Sequence, residues 1–219
     1  VDNIQIQRGV GTSTNGVGAF GASVNIQTNT LNEKPYAEVA SSGGSFGSIK
    51  NTLKVGTGLI GNFAFDGRLS MINSNGFIDR GSSNLRSFFL SGGYYGKRSL
   101  LKFNVISGKE KTYQAWNGIP EAKLFGTPEE LKKHYERNPE TYPTQQDSLN
   151  LFNSGRRTYN YFTYDNQTDN YRQDHYQAFY TQELLDNLSL NVGLHFTHGE
   201  GYYEEYKYNA ELAEYGLKN

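Results

Sequence analysis

The segment LSLNVGLHFT, residues 188–197, alternates apolar and polar side chains without a break. A period of two residues is typical of a β-strand, in which successive side chains point to opposite faces of a sheet. One face therefore carries Leu188, Leu190, Val192, Leu194 and Phe196, and the other carries Ser189, Asn191, Gly193, His195 and Thr197. The short connection Leu185-Asp186-Asn187 joins this segment to residues 175–184, which predicts an antiparallel hairpin.

The same alternation occurs upstream, from residue 36 onward, within 46–59, 63–71, 85–96 and 101–105. The pattern predicts an all-β fold of about seven antiparallel strands. We expect one face of the sheet to be apolar, with Phe63, Phe65, Leu69, Leu101, Phe103, Val105, Leu190, Val192 and Leu194. The opposite face should carry the charged and polar side chains of Lys54, Arg68, Lys102 and His195.

The connections between these segments differ strongly in length. Gly61-Asn62, Lys97-Arg98-Ser99 and Leu185-Asp186-Asn187 are tight, whereas 73–84, 109–170 and the chain from 198 onward are long. Short turns at one end and long loops at the other are typical of an outer-membrane β-barrel. Two alternatives remain open at this point. One is a soluble extracellular β-sandwich with a solvated charged face that binds carbohydrate through its tyrosines, and the other is a different outer-membrane channel barrel.

The composition fits a protein with many strands. The sequence has 25 Gly, 17 Tyr and 13 Phe but only 5 Pro, and it contains no Cys, which excludes disulfides and thiolate sites. A net charge of −1 gives no indication of nucleic-acid binding. The mean hydropathy of −0.69 is compatible with a membrane barrel, because only alternate residues of such a barrel face lipid.

Residues 4–28 carry a more specific signal. Ile4-Gln5-Ile6-Gln7-Arg8-Gly9 leads into a glycine-rich stretch, and Gly21-Ala22-Ser23-Val24-Asn25-Ile26-Gln27-Thr28 follows. This stretch resembles the end of the plug domain of TonB-dependent outer-membrane receptors, where a strand of the form I-x-I-x-R-G runs through a glycine-rich turn into G-G-x-I-N-I-x-T. Val10 stands where the family often has Pro. The sequence also lacks the Y-G-x-x-A-x-G-V plug ending of glycan importers, which favours a receptor for siderophores or metal chelates of a Bacteroidetes-like type.

The resemblance implies a domain organisation. Residues 1–34 would be the C-terminal part of the plug, and 35–219 would be the first strands of a transmembrane barrel of about 22 strands. It also implies that Arg8 and Gly9 contact the barrel, with Arg8 paired to barrel glutamates beyond residue 219. We expect the chain to be a fragment, because it has no secretory signal, no upstream segment that contacts TonB, and no aromatic-terminated last strand.

The function implied by the resemblance is energised import across the bacterial outer membrane. The ligand would be a scarce one such as a ferric siderophore, haem or cobalamin, and the partners would be TonB, that small chelate and outer-membrane lipid. No cofactor is implied. The sequence shows neither a nucleophile–base–acid arrangement nor a phosphate loop, so we do not expect an enzyme. His195 and His198 should lie on opposite strand faces, so we predict no metal site there.

The long loop, residues 109–171, is the expected site of ligand capture, because loops of this length are uncommon unless they are functional or disordered. Its one regular element should be a helix over 128–137, with Thr127 as its N-cap and Pro128 in the first turn. The candidate ligand-binding residues are the aromatic and cationic side chains of Tyr113, Trp116, Arg156, Arg157, Tyr159 and Tyr161.

Overall fold

The computed structural model describes residues 3–9, 21–27 and 32–218. Seven strands form one antiparallel sheet, in which each strand pairs with its neighbours in sequence order. They are β3 (Tyr36–Gly44), β4 (Ser48–Gly56), β5 (Phe63–Ser74), β6 (Ser83–Tyr95), β7 (Ser99–Tyr113), β8 (Thr168–Leu185) and β9 (Leu188–Tyr203). The predicted all-β class, with about seven antiparallel strands, is confirmed.

The register of this sheet decides which side chains share a face. Lys54 lies opposite Arg68, whereas the adjacent Leu53 lies opposite Leu69, which in turn lies opposite Phe88. Because side chains alternate along each strand, these two rows occupy opposite faces. The same pairing extends to β9, where the register shifts only between Glu183 and Leu185. All nine residues predicted for the apolar face share one face, and Lys54, Arg68, Lys102 and His195 share the other.

Side-chain hydrogen bonds connect neighbouring strands on the charged face. The Tyr36 hydroxyl donates to Asp66 Oδ1 at 2.9 Å. Further along the sheet, Ser91 donates to Asn104 Oδ1 at 2.8 Å, and the Asn104 amide donates to Gln177 Oε1 at 3.2 Å. Cross-strand polar pairs of this kind stabilise a sheet whose face is not packed against a hydrophobic layer.

The connections are short at one end of the sheet and mostly long at the other. The short ones are 57–62, 96–98 and 186–187, and the long ones are 75–82 and 114–167. At the long-loop end, β3 and β4 are joined by a tight turn in which Phe46 and Gly47 adopt φ values of 61° and 63°. The predicted asymmetry is therefore present, with one tight turn among the long connections.

A separate hairpin precedes this sheet. Strands β1 (Asn3–Arg8) and β2 (Ala22–Gln27) pair antiparallel, with Arg8 opposite Ala22. The Gly9 amide donates to the Gly21 carbonyl at 2.7 Å, and Gly9 adopts a φ of 84°, which favours glycine. Of the sequence that carries the family resemblance, residues 10–20 and Thr28 lie outside the described residues.

The prediction of one regular element in the long loop was wrong, because the loop contains three helices. These are α1 (Glu121–Leu124), α2 (Pro128–Arg137) and α3 (Gln145–Asn153), and a 3-10 turn, Leu212–Tyr215, follows β9. Strands β7 and β8 also extend into the range predicted as loop, which reduces the connection from 109–171 to 114–167. Within the described residues, no helix is long and apolar enough to cross a membrane.

Candidate functional site

The connection between β7 and β8, residues 114–167, forms a small packed unit that we call the loop domain. Its helix α2 begins with a capping box at Thr127, the predicted N-cap. The Glu130 amide donates to Thr127 Oγ1 at 3.3 Å, and the Thr127 amide donates to Glu130 Oε2 at 2.7 Å. The Thr127 hydroxyl also donates to Glu130 Oε2, at 3.1 Å, and the two hydrogen bonds from the Thr127 amide and hydroxyl lower the pKa of the Glu130 carboxyl. The helix predicted over 128–137 is confirmed.

Helix α3 has a second capping box, which the sequence analysis missed. The Asp147 amide donates to Thr144 Oγ1, and the Thr144 amide donates to Asp147 Oδ2, both at 3.1 Å. Asp147 also accepts a hydrogen bond from the Thr163 hydroxyl at 3.3 Å, which connects the start of α3 to the end of the loop domain. The usual capping box has Glu or Gln at the third helical position, so a shorter Asp there is a weaker sequence signal.

The loop domain has its own hydrophobic core. Tyr142, Leu151 and Tyr159 are buried together, and Leu131 and Tyr135 of α2 pack against them. The Tyr142 hydroxyl lies 2.9 Å from His134 Nε2. Burial raises the pKa of both Tyr142 and Tyr159. An aromatic core of this kind gives the loop a fixed shape, which a ligand-binding loop needs if it is to be preorganised.

Lys123 is buried inside the loop domain, with 3% of the residue exposed. Its ammonium donates to the carbonyl oxygens of Leu151 at 2.6 Å and Ser154 at 2.9 Å, at the C-terminal end of α3. The ammonium also lies 5.7 Å from the centre of the Tyr159 ring. Burial, together with the nearby charge of Arg156, lowers the pKa of Lys123. Lys123 thus fixes α1 to α3 and satisfies carbonyl groups that the helix end leaves open.

Arg80 connects the β5–β6 connection to the loop domain. Its Nε donates to the Phe162 carbonyl at 2.9 Å, and its Nη2 donates to the Asn160 carbonyl at 3.1 Å and to Asn150 Oδ1 at 3.2 Å. Arg80 has a left-handed φ of 64°, uncommon for a residue other than glycine. The buried Asn160 amide donates to the carbonyls of Asp79 and Gln114, both at 2.9 Å. The two loops therefore form one assembly above the strand ends.

The structure separates the predicted ligand-binding residues into buried and exposed groups. Tyr159 is 2% exposed and belongs to the core, and Tyr113 is buried at the end of β7, where its hydroxyl donates to the Tyr164 carbonyl at 2.6 Å. Neither presents a surface to a ligand. Arg156 donates to the Gly126 carbonyl at 2.7 Å, and Tyr161 is half-buried against Phe162.

Trp116, Arg156 and Arg157 are the exposed members of the predicted set. Trp116 is 58% exposed, and it contacts the ring of Phe162 at 6.2 Å and that of Tyr203 at 5.8 Å, both edge-on. Next to this group, Tyr164 stacks on Tyr206 with ring centres 3.7 Å apart. The Tyr206 hydroxyl and burial raise the pKa of Tyr164 to about 12.

We call Trp116, Tyr164, Tyr203 and Tyr206 the aromatic surface, and the buried ring of Phe162 packs behind Trp116. Tyr203 is the last residue of β9 and lies opposite Asp169 of β8. Its side chain is on the charged face of the sheet, because it is an even number of positions from His195 on the same strand. Aromatic rings at the end of this face provide area for stacking on a planar ligand. Sequence reasoning found Trp116 but missed Tyr203 and Tyr206, because their contribution depends on the loop domain packing against the end of β9.

A polar groove of about 590 Å³ lies beside α3. Its lining includes Arg80, Gln146, Leu149, Asn150 and Asn153. Amide and guanidinium groups suit an oxygen-rich ligand, since they donate several hydrogen bonds in fixed directions. In the part of the chain that the structure describes, no group of three or more His, Cys, Asp or Glu side chains could hold a metal ion.

Arg8 and Gly9 lie at the turn end of the β1–β2 hairpin, where both are exposed. The barrel glutamates implied for Arg8 are outside this sequence, so the pairing stays a prediction. His195 lies on the charged face, where its Nε2 is 2.8 Å from the Thr197 hydroxyl, and the register places His198 on the opposite face. The two histidines therefore share no site.

Among known proteins, a similar fold is found in a solved structure but not through sequence. No protein-family model matches the sequence, and no curated protein matches it. The chain is similar in structure to the ferric-catecholate import receptor Fiu from E. coli K12, in its open form, with a TM-score of 0.70 and 16% sequence identity. The match covers 91% of this chain and 29% of the Fiu chain, so this chain spans less than a third of that receptor's length. At this identity the likeness shows a common fold.

Proposed function

We propose that this chain is part of a TonB-dependent receptor of the bacterial outer membrane, which imports a ferric siderophore or a similar metal chelate. The observation that carries this proposal is the likeness to the Fiu fold over 91% of the chain. The β1–β2 hairpin is the end of the plug, residues 1–34, and the seven-stranded sheet in 35–219 is part of the wall of a barrel of about 22 strands. Import involves no covalent chemistry by the receptor itself.

The apolar face of the sheet supports a place in the membrane. Leu69 is 58% exposed and Leu194 is 66% exposed, and they belong to a face that extends from β3 to β9. Covering one such side chain with an apolar phase contributes about 1.5–3 kcal/mol. In a soluble sandwich a second sheet would cover this face, and the described residues form no second layer over it. A lipid bilayer covers it without one.

The charged face supports the role of a lumen wall. Lys54 pairs with Glu38 at 3.1 Å on this face, and Arg68 Nε is buried without a hydrogen-bond partner in the described part of the chain. A buried guanidinium nitrogen without an acceptor is costly, so a further group is expected to contact it in the whole receptor. The plug inside the barrel is the natural source of that group. We place Arg8 of the plug against barrel carboxylates in the same way.

The loop domain and the aromatic surface support ligand capture at the outer end of the lumen. Trp116 and Tyr203 lie where an incoming ligand would first meet the barrel, and Arg157 adds an exposed cation for an anionic chelate. These features favour a planar or aromatic chelate of iron, and haem or cobalamin are further ligands of the same receptor class. TonB would act on the plug through a segment upstream of residue 1.

Uptake by the full receptor tests this proposal. A deletion strain that carries the receptor should grow on one of a set of single iron or vitamin sources, namely a ferric catecholate, haem or cobalamin. Trp116→Ala should weaken capture of that ligand at least tenfold. Phe125→Ala is the matched control, because Phe125 is a loop-domain aromatic that is 78% exposed and outside the aromatic surface. Equal loss in both variants would contradict the assignment of the aromatic surface.

Dependence on TonB separates the proposed receptor from other outer-membrane channels. The same strain without TonB should lose uptake while the receptor is still present in the outer membrane. Uptake that continues at the same rate without TonB would favour the channel alternative. A receptor chain that stays in solution without detergent would favour the soluble sandwich.

A further inference from the structure

A row of cations crosses the apolar face of the sheet near its long-loop end. Arg86 on β6 lies opposite Lys109 on β7, which lies opposite Arg172 on β8. We call these three residues the basic row. Arg86 shares a face with Phe88 because the two are separated by two positions on one strand, and Phe88 is opposite Leu69. The cations therefore lie on the apolar face and not on the lumen face.

This arrangement is unfavourable unless an anion compensates it. Like charges directly opposite each other on neighbouring strands destabilise a sheet. Within residues 3–9, 21–27 and 32–218, no ion pair involves Arg86 or Lys109. Arg172 does pair with Asp174 at 3.0 Å. That carboxylate is already shared, because the Ser107 hydroxyl donates to its other oxygen at 2.5 Å.

Nearby charges leave an excess of positive charge. Lys111 is exposed on the same face, two positions beyond Lys109 on β7. The acidic side chains on this part of the face are Asp174 and Glu200, the latter opposite Arg172. Four cationic side chains and two carboxylates therefore lie on this part of the apolar face, and both carboxylates are near Arg172. Arg86 and Lys109 are the uncompensated positions.

The basic row borders a groove with an apolar floor. A groove of about 1110 Å³ is lined by Leu53, Leu69 and Phe88 and also by all three residues of the row. Arg86 lies about 7 Å beyond Phe88 along the strand, toward the long loops, at a rise of about 3.4 Å per residue. An apolar surface with cations at its outer edge matches an amphiphile that has apolar chains and an anionic head.

We propose that the basic row binds the phosphate groups of a phosphorylated glycolipid in the outer leaflet, while its acyl chains lie against Leu53, Leu69 and Phe88. This inference rests on the proposed place in the outer membrane. The guanidinium group of Arg86 matches a phosphate bidentately, Lys109 beside it adds a point charge, and Arg172, which also pairs with Asp174, extends the positive edge. Asn170 and Tyr202, which also line the groove, supply hydrogen bonds for the sugar.

The test uses the full receptor, purified in detergent, and lipid A as the phosphorylated glycolipid. Native mass spectrometry counts bound lipid A, and titration gives its affinity. The triple variant Arg86→Gln, Lys109→Gln, Arg172→Gln should bind lipid A at least tenfold more weakly, which corresponds to about 1.4 kcal/mol. The control variant Lys50→Gln, Lys54→Gln, Lys102→Gln removes the same charge from the lumen face and should bind as the unchanged receptor does.

A second measurement does not depend on the variants. Dephosphorylated lipid A should bind the unchanged receptor at least tenfold more weakly than lipid A, and inorganic phosphate should compete poorly because it lacks the acyl chains. Equal binding of both lipids would overturn the proposal, as would equal loss in the two triple variants. Competition by inorganic phosphate as strong as by lipid A would show a simple phosphate site instead.

A receptor that inserts in the outer membrane but fails these tests contradicts this inference alone, whereas a receptor that does not insert contradicts the proposed function.

Discussion

Replacing Lys123 with methionine should loosen the loop domain while the barrel strands stay intact. The buried ammonium donates to the carbonyls of Leu151 and Ser154 at 2.6 and 2.9 Å, and it connects α1 to the end of α3. Methionine has a similar length and apolar character, so the substitution leaves little empty space. The main change is that two carbonyl oxygens lose a charged donor.

The magnitude follows from these two hydrogen bonds. A hydrogen bond to a charged group contributes about 1.5–3 kcal/mol. Burial lowers the pKa of Lys123, which shows that dehydrating the ammonium offsets part of that gain. We therefore expect a net loss of about 3 kcal/mol for opening of the loop domain. Since about 1.4 kcal/mol is a factor of ten, the opening equilibrium should shift by roughly 150-fold.

Amide hydrogen exchange of the full-length protein, followed by mass spectrometry, measures this shift peptide by peptide. Protection should fall in α1 and α3 and remain unchanged in β5 and β6. Lys132→Met is the matched control, since Lys132 is exposed on α2 and, among the described residues, its one ion pair is with Glu136 at 3.8 Å. Its effect should stay within about 0.5 kcal/mol. Unchanged protection in Lys123→Met, or an equal loss in the control, would show that the two Lys123 hydrogen bonds do not hold the loop domain together.

Three further predictions concern single residues. Burial raises the pKa of Tyr159, so Tyr159→Phe should remove one late-ionising group from the alkaline tyrosine titration of the protein. The stability that the buried Tyr159 side chain contributes is complete below the ordinary tyrosine pKa of about 10 and is lost as the pH rises further. Arg80→Lys should increase protease cleavage within 114–167 without affecting barrel assembly, since the single nitrogen of lysine cannot replace the two separated donor nitrogens, Nε and Nη2, of Arg80. Unchanged cleavage would contradict the connecting role of Arg80. Arg8→Ala should weaken plug seating and transport but leave surface ligand binding intact, whereas unchanged transport and plug unfolding force would show that Arg8 has no partner.

The strands could be predicted from the sequence because the apolar residues recur at a strict period of two. A register error of one residue would move charges such as Arg68 to the apolar face, so the pattern itself fixes the register. The start of β3 at residue 36 and the division of side chains between the two faces of the sheet could both be predicted from this alternation. The ends of β7 and β8 do not, since Lys109, Lys111 and Arg172 interrupt the apolar alternation where the strands continue.

The candidate site could be predicted only in part, because its residues depend on contacts between distant segments. Trp116 and Tyr159 have the same sequence signal, an aromatic residue in a long polar loop, yet one is exposed and the other is in the core. The difference arises from the packing of Tyr159 against Tyr142 and Leu151. Arg80 has no motif of its own, and its role follows from carbonyl groups of residues 160 and 162 that the fold brings near.

We propose that the seven strands form a barrel wall with lipid on one face and the aqueous lumen on the other. The chain contains no cysteine, so single cysteines at Leu69 and Arg68 allow spin labels on adjacent residues of β5. In the full-length protein, in membranes, the label at 69 should be relaxed by oxygen, which dissolves in lipid. The label at 68 should be relaxed by a water-soluble nickel chelate. Relaxation of both labels by the nickel chelate alone would contradict the assignment of one face of β5 to lipid.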